Sequence, residues 1–431
     1  MTGNQTLILR AMLGVAAAIS GVVAVSNAML RSLPLKQFDR LITATFIVTR
    51  FAVYLGLFVI LRLPPRGDVP SYYWGQAVLT LQGLLPYRDF ASSYAPLHPF
   101  LDAALIRLWF SPLAIILFSL LAECLLVPLW LRLGRRIFTD QQVRIGALLY
   151  VTSAISLQFV AIDGQDNVVI AVLFALAILL LDRRPFLSGA AVGLGAVSIK
   201  FLPLAYAPLF FIGALRRWRW LAGLALPVVL VYGAFAARHL QVLSALSKEA
   251  GLKSANNLPY LMESVLGVTL PSRLCDGVTA IVLFVIFSLV ARTVAQGSSG
   301  LRLQSLVFGT AGTTLAIVLF AKKSWPPYLM LALFPICFLA SSRSKLKTAG
   351  FGLFGVVAVV APSYWSTVLA QFSSEKFRQG LLAGQTTCYF LLALQTLLIA
   401  GYAWLLMTCV QRLLSMERKE TERLQETASV S

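Results

Sequence analysis

Residues 66–100 contain Arg66-Gly67-Asp68-Val69-Pro70-Ser71-Tyr72-Tyr73-Trp74, then Gly83-Leu84-Leu85-Pro86-Tyr87-Arg88-Asp89-Phe90, then Tyr94-Ala95-Pro96-Leu97-His98-Pro99-Phe100. The stretch lies between two long apolar runs, 41–62 and 111–131. About 20 mostly apolar residues suffice to cross the hydrocarbon of a bilayer, so 63–110 is a water-facing connection between two spans. Within it, 72–84 and 96–109 carry apolar residues at helical spacing, and Pro96 and Pro99 suit a helix start. Each is short for a crossing and polar on one side, which predicts two juxtamembrane helices at the interface with a loop from Leu85 to Ser93 between them.

The same pattern extends along the chain. Of its 431 residues 58% are hydrophobic and 12% charged, against about 45–50% and 25% in soluble domains. Apolar runs recur at 7–30, 41–62, 111–131, 143–161, 167–181, 186–200, 202–215, 219–237, 277–294, 303–320, 327–340, 348–368 and 389–411. The expected fold is an all-α, polytopic transmembrane helical bundle of about 11–13 spans. Residues 1–411 read as one integral membrane domain: 1–40 hold an extra N-terminal span and basic loop, 63–110 form the outer loop, and 412–431 a charged cytoplasmic tail. The first run lacks the basic cluster of a signal peptide and reads as a retained span.

The net charge of +19 does not point to nucleic acid, because the basic residues are dispersed between apolar runs. Groups such as Arg132, Arg135 and Arg136, or Arg216, Arg217 and Arg219, recur at alternate connections. The positive-inside rule then puts these inside, the C-terminus in the cytoplasm and Asp68 outside, with anionic lipid headgroups as natural contacts. The five cysteines, Cys124, Cys275, Cys337, Cys388 and Cys409, show no metal-binding spacing, and a Cys275–Cys388 disulfide stays open.

Several polar groups fall at expected outer positions. Asp68 follows Pro64-Pro65-Arg66-Gly67; its ordinary role would be a helix cap or a partner for Arg66, its functional one an acid beside other ionisable groups at membrane depth. Asp163-Gly164-Gln165-Asp166-Asn167 is ordinary turn chemistry in part, yet its acids and amides also match the paired donors and acceptors that sugar hydroxyls require. Lys200 at a run end either snorkels or, with Arg88, Lys322 and Lys323, meets a phosphate. His98 and Asp102, four apart, suit a solvated helix face. His239 receives no role, and Glu123, inside a span, suits a structural bond to another helix. Trp74, Trp109, Trp325 and Trp365 fit an interfacial belt.

Taken together, Asp68 in the first outer loop, Gly83 to Asp89, Tyr94-Ala95-Pro96-Leu97, Gly164-Gln165-Asp166-Asn167, Ile199-Lys200-Phe201-Leu202-Pro203 and Lys323 to Tyr328 resemble the GT-C superfamily of integral membrane glycosyltransferases, in particular its polyprenyl-phosphate-dependent, mannosyltransferase-like branch. The likeness covers about 41–340. Asp68 has no acidic neighbour, unlike the Asp-Glu form of the family motif, and the first span is additional. The resemblance implies transfer of a sugar from a polyprenyl-phosphate donor to a hydroxyl of a glycan or lipid acceptor, on the extracytoplasmic face of a bacterial plasma membrane and with inversion. Asp68 would be the general base; Lys200, Arg88, Lys322 and Lys323 would hold the donor phosphate; Asp89, Gln165, Asp166, Tyr87 and His98 would hold sugar or acceptor. No cofactor is implied, a divalent metal is left open, and the rival from another class is a transporter or flippase of a lipid-linked sugar.

Overall fold

The computed structural model describes residues 3–238, 240–242, 252–296 and 299–430. His239 and 243–251 lie outside the described residues. The protein is 80% helical, and among the described residues extended pairing is confined to an isolated bridge between Pro86 and Phe90.

The expected all-α bundle is observed. Eight described helices are long and apolar enough to cross a membrane: Gln5–Ser26, Leu35–Ile60, Leu113–Ile137, Arg217–Ala237, Ser272–Ala295, Gly300–Phe320, Lys345–Thr367 and Thr386–Arg418. Counting the pair Asp140–Val151 and Ala154–Ile162, bent by 40°, as one span makes nine. The other four apolar runs form the shorter helices Asn167–Leu180, Pro185–Ser198, Leu202–Gly213 and Pro326–Ala340. Fourteen helical residues rise about 21 Å, against about 30 Å of hydrocarbon, so these helices do not span it alone.

The chain divides into two compact units. The first comprises Met1–Phe38, Phe138–Gln158 and Leu252–Ser431. In it Gln5–Ser26 lies along Lys345–Thr367, so close that a Cβ on Gly352 would stand 3.0 Å from that of Ala18. Arg10 Nη1 donates to Ser363 Oγ at 3.0 Å across the same pair. Ser272–Ala295, Gly300–Phe320 and Thr386–Arg418 pack on one another, and the last continues as helix to Val430, through the segment expected as a tail. All five cysteines are free, so Cys275 and Cys388 are not bridged.

The second unit comprises Asp39–Ile137 and Phe159–Gly251. Its Pro185–Ser198 and Arg217–Ala237 helices approach through glycine: a Cβ on Gly189 would lie 2.0 Å from the Trp220 carbonyl oxygen, and one on Gly223 1.9 Å from that of Phe186. Small residues at such spacing are how membrane helices bring their backbones together. Arg50 and Glu123, buried within spans, answer each other at 3.9 Å, which gives Glu123 the interhelical role expected of it. Leaving either alone in hydrocarbon would be costly.

Candidate functional site

The second unit gathers most of the expected site residues. Asp68 ends the Pro64–Gly67 turn, where Gly67 adopts a left-handed φ of 72°, and it precedes a π-helical turn, Val69–Tyr73. Although it stands at a helix N-cap position, its side chain caps nothing there. The carboxylate instead accepts a hydrogen bond from Gln165 Nε2 at 2.9 Å, across 97 residues of sequence. The cap reading is thereby set aside. Asp68 is half-buried.

Gln165 comes from the 163–167 turn, which follows another π-helical segment, Leu157–Ile162. Isolated π turns are frequent at functional sites, because each re-aims the chain by one residue. Gly164 turns with φ 63°, and a Cβ there would meet Ile116 Cγ1 at 2.7 Å and Val69 Cγ2 at 3.0 Å. Only glycine both adopts this conformation and fits the space. Its carbonyl also accepts from Ser119 Oγ at 3.2 Å, tying the turn to the Leu113–Ile137 helix.

From the turn a chain of buried charges runs inward. Asp166 Oδ1 lies 3.1 Å from Lys200 Nζ and its Oδ2 2.7 Å from His98 Nε2. His98 Nδ1 faces Asp102 Oδ2 at 3.3 Å. Lys200 also donates to Asn167 Oδ1 at 3.2 Å, and Asn167 Nδ2 reaches Gln165 Oε1 at 3.5 Å. The loop carrying His98 is docked by the backbone: Ala95 N donates to Ile199 O at 3.1 Å and Leu97 N to Val197 O at 2.9 Å. Tyr94 stacks on His98 with centroids 4.5 Å apart, and Lys200 Nζ stands 5.4 Å from the Tyr94 ring centre.

The electrostatics follow from burial and pairing. Burial pushes Asp166 towards its neutral form, but Lys200 and His98 outweigh it and hold the carboxyl down at about 2. Asp102 is raised to about 7, chiefly by burial, with His98 opposing and Asp166 adding to the rise. Burial works against a charge on His98 too, yet the flanking Asp102 and Asp166 raise its pKa despite the nearby Lys200. At neutral pH the cluster therefore holds an ionised Asp166 between Lys200 and His98.

His98 and Asp102 correct the sequence reading of a solvated face: they are 1% and 3% exposed. With each imidazole nitrogen facing a carboxylate, His98 positions Asp166 rather than offering a ring nitrogen to a sugar. Tyr87 donates its hydroxyl to the Tyr94 carbonyl and so supports the same loop. Arg88 and Asp89 are exposed and bond to each other, Arg88 Nε to Asp89 Oδ1 at 2.9 Å, while Asp89 Oδ2 also accepts from Leu85 N at 2.8 Å. Asp89 is held down at about 2, first by its hydrogen bond from Arg88.

Lys322 and Lys323 belong to the first unit, where they line a cavity, with Lys322 paired to Asp276 at 2.8 Å. Trp325 and Trp365 line that cavity as well, and Trp365 is 8% exposed with Nε1 donating to the Phe372 carbonyl at 3.0 Å. Neither indole is thus a simple belt residue.

Tyr73 is the residue the sequence reading missed. It is fully buried, its ring meets those of Tyr94 and His98 edge-on at 5.1 and 4.9 Å, and its hydroxyl has no hydrogen-bond partner among the described residues. Burial raises its pKa well above the usual value, and the charges of Asp166 and Asp68 add to this, so it stays a neutral donor. In Tyr72-Tyr73-Trp74 an aromatic signal was visible, but not which ring turns inward. No family model matches the chain, and no curated protein matches it.

Proposed function

We propose that this protein is a glycosyltransferase of the GT-C type, moving a sugar, with mannose the first candidate, from a polyprenyl-phosphate donor to a hydroxyl of a glycan or lipid acceptor at the extracytoplasmic face of a plasma membrane. One observation carries the reading. Asp68, the 165–167 turn and Lys200, far apart in sequence, form one hydrogen-bonded and ion-paired array within a single unit. A membrane scaffold has no need of such an array around a half-buried acid.

In the reaction the acceptor O–H gives its proton to the Asp68 carboxylate as its oxygen bonds to the anomeric carbon. The bond from that carbon to the phosphate oxygen breaks on the opposite face, releasing polyprenyl phosphate and inverting the centre. Proton removal of this kind contributes about 10²–10⁴-fold. Lys200, held between Asp166 and Asn167, stabilises the charge that develops on the leaving phosphate. Gln165 fixes the orientation of Asp68. The steps need no cofactor, and they use residues of the second unit alone.

The half-length helices favour one second reading. Lys200 follows Pro185–Ser198 and precedes Leu202–Gly213, and broken helices with a charge at the break are a mark of transporters. The two readings separate in proteoliposomes supplied with labelled polyprenyl-phosphate mannose, glucose, arabinose or galactose and a hydroxyl acceptor. Glycosidic product from purified protein supports transfer; movement of labelled lipid between leaflets without bond formation supports the transporter and overturns the proposal.

A further inference from the structure

The second unit has a far end, away from its charge cluster. Asn167–Leu180 leads away from Asp166 and Pro185–Ser198 returns towards Lys200, so the 181–184 turn lies at that far end. Leu202–Gly213 leads away again, and 214–216 joins it to Arg217–Ala237. The two turns are neighbours because Pro185–Ser198 and Arg217–Ala237 pack in parallel, Gly189 on Trp220 and then Gly193 on Leu224. Trp220 Nε1 also donates to Ser188 Oγ at 3.2 Å, and Ser188 Oγ to the Ala177 carbonyl at 2.7 Å. Three helices are thereby fastened near this end.

Positive charge collects there. The turns bring Arg183 and Arg184 beside Arg216, Arg217 and Arg219, and all five are exposed. Asp182 is the one acid in these two turns. Among the described residues no carboxylate pairs with any of the five arginines, and neither helix carries an acid in its first turn to offset them. Cations gathered at helix starts repel one another and oppose the helix dipole. The patch is therefore complementary to an anion.

What lies beside the arginines decides which anion. Trp218 and Leu215 are 78% and 69% exposed in their midst. Arg219, Leu226 and Leu230 fall on one face of Arg217–Ala237, being seven and then four residues apart, and both leucines are exposed. This helix is long and apolar enough to cross a membrane, and 11% of its apolar stretch is buried within the protein. A soluble anion would meet the charge and leave that apolar track bare. A phospholipid matches both, its phosphate on guanidinium groups that suit phosphate oxygens two at a time and its acyl chains along the leucines. Basic sites at the ends of membrane helices take lipid headgroups in this way. We propose that this patch is a docking surface for an anionic phospholipid. It is independent of the transfer reaction, since none of its residues belongs to the Asp68 array.

The test uses the full chain in phosphatidylcholine nanodiscs, with spin-labelled phosphatidylglycerol or phosphatidylcholine as the probe and its motionally restricted fraction as the signal. Phosphatidylglycerol should be held saturably and in preference to phosphatidylcholine, whose phosphate is offset by its own choline cation. Arg184→Gln with Arg216→Gln should reduce that preference about tenfold or more, as loss of charge-assisted hydrogen bonds implies. Arg183→Gln with Arg219→Gln should do the same. Melting in phosphatidylcholine should be unchanged in both pairs, so that a lost preference is a lost contact. Lys345→Gln with Lys347→Gln removes equal charge from exposed positions of the first unit. It should change the preference less than about twofold, because charges out of contact act only through screened attraction. An absent preference in the wild type, or one that survives both arginine pairs, would overturn the site. An equal loss in the lysine pair would reduce it to diffuse attraction, and displacement of the probe by inorganic phosphate at matched ionic strength would remove the lipid as its occupant.

Discussion

In the second unit Asp166, His98, Lys200 and Asp102 are closed on one another, every one of them packed among neighbours. In the first unit Lys253, Lys322 and Lys323 stand around about 410 Å³ of open space. The same residue types thus serve two ends. Buried charges in mutual contact fix geometry, because separating them is costly, and here they hold the turn that orients Asp68. Around the cavity the lysines stand apart from one another at its wall, Lys253 on Glu263 and Lys322 on Asp276.

That contrast makes graded predictions. The largest effect belongs to Gly164→Leu, which forces a branched side chain into Ile116 and Val69 from a left-handed backbone; folded protein should be lost on size-exclusion chromatography, and a normal monodisperse peak would show that the turn is not closely packed. Asp166→Asn leaves Lys200 and His98 without their shared counter-charge and should cost about 3–5 kcal/mol, whereas Lys323→Met on the half-buried cavity wall should cost less than about 1 kcal/mol. Equal shifts in thermal unfolding would erase the distinction between closed and open charges.

Acid should act on the closed cluster first. Asp166 is held at about 2 in the fold, against about 3.9 in an unfolded chain. Its stabilisation is complete above the unfolded value and fades as pH falls towards 2. Asp102 has the opposite sign: raised to about 7, it keeps a proton that the unfolded chain releases near 4, so its share of stability declines as pH rises from there through 7. Melting temperatures should therefore drop below about pH 4 in the wild type, and less so in Asp166→Asn; identical acid profiles would show that Asp166 is not the responsible group. The smallest structural effect is expected of Tyr73→Phe, which removes a hydroxyl that bonds nothing among the described residues. Stability should be unchanged or slightly higher by thermal unfolding; a clear loss of stability would show that the hydroxyl is bonded within the fold.

The helices were legible because their signal is compositional: runs such as 303–320 and 348–368 carry enough consecutive apolar residues to announce themselves. The breaks at 163–166 and 199–201 were legible too, as the polar turn Asp163–Asn167 and as Lys200 between two runs, whereas the 40° bend between Asp140–Val151 and Ala154–Ile162, inside the run 143–161, is shown only by the folded chain. Asp68, Gln165, Asp166 and Lys200 stood out as polar residues at run ends, and the structure joins them. The burial of His98 and Asp102 was not readable, because an i,i+4 pair looks the same facing water or facing Asp166, and it is the docking of 95–97 on 197–199 that turns it inward. The inward turn of Tyr73 depends on the π-helical turn Val69–Tyr73, a one-residue shift with no sequence signature here. The cavity around Trp365 escaped notice for a similar reason: its lining comes from three separate connections of one unit.

The most direct measurement is sugar transfer by Asp68→Asn in proteoliposomes with a polyprenyl-phosphate sugar that the wild type uses. With Asp68 as the base, the variant folds, binds donor and loses about 10²–10⁴-fold in turnover. Turnover at the wild-type rate in a properly folded Asp68→Asn protein would contradict that assignment and with it the proposed reaction.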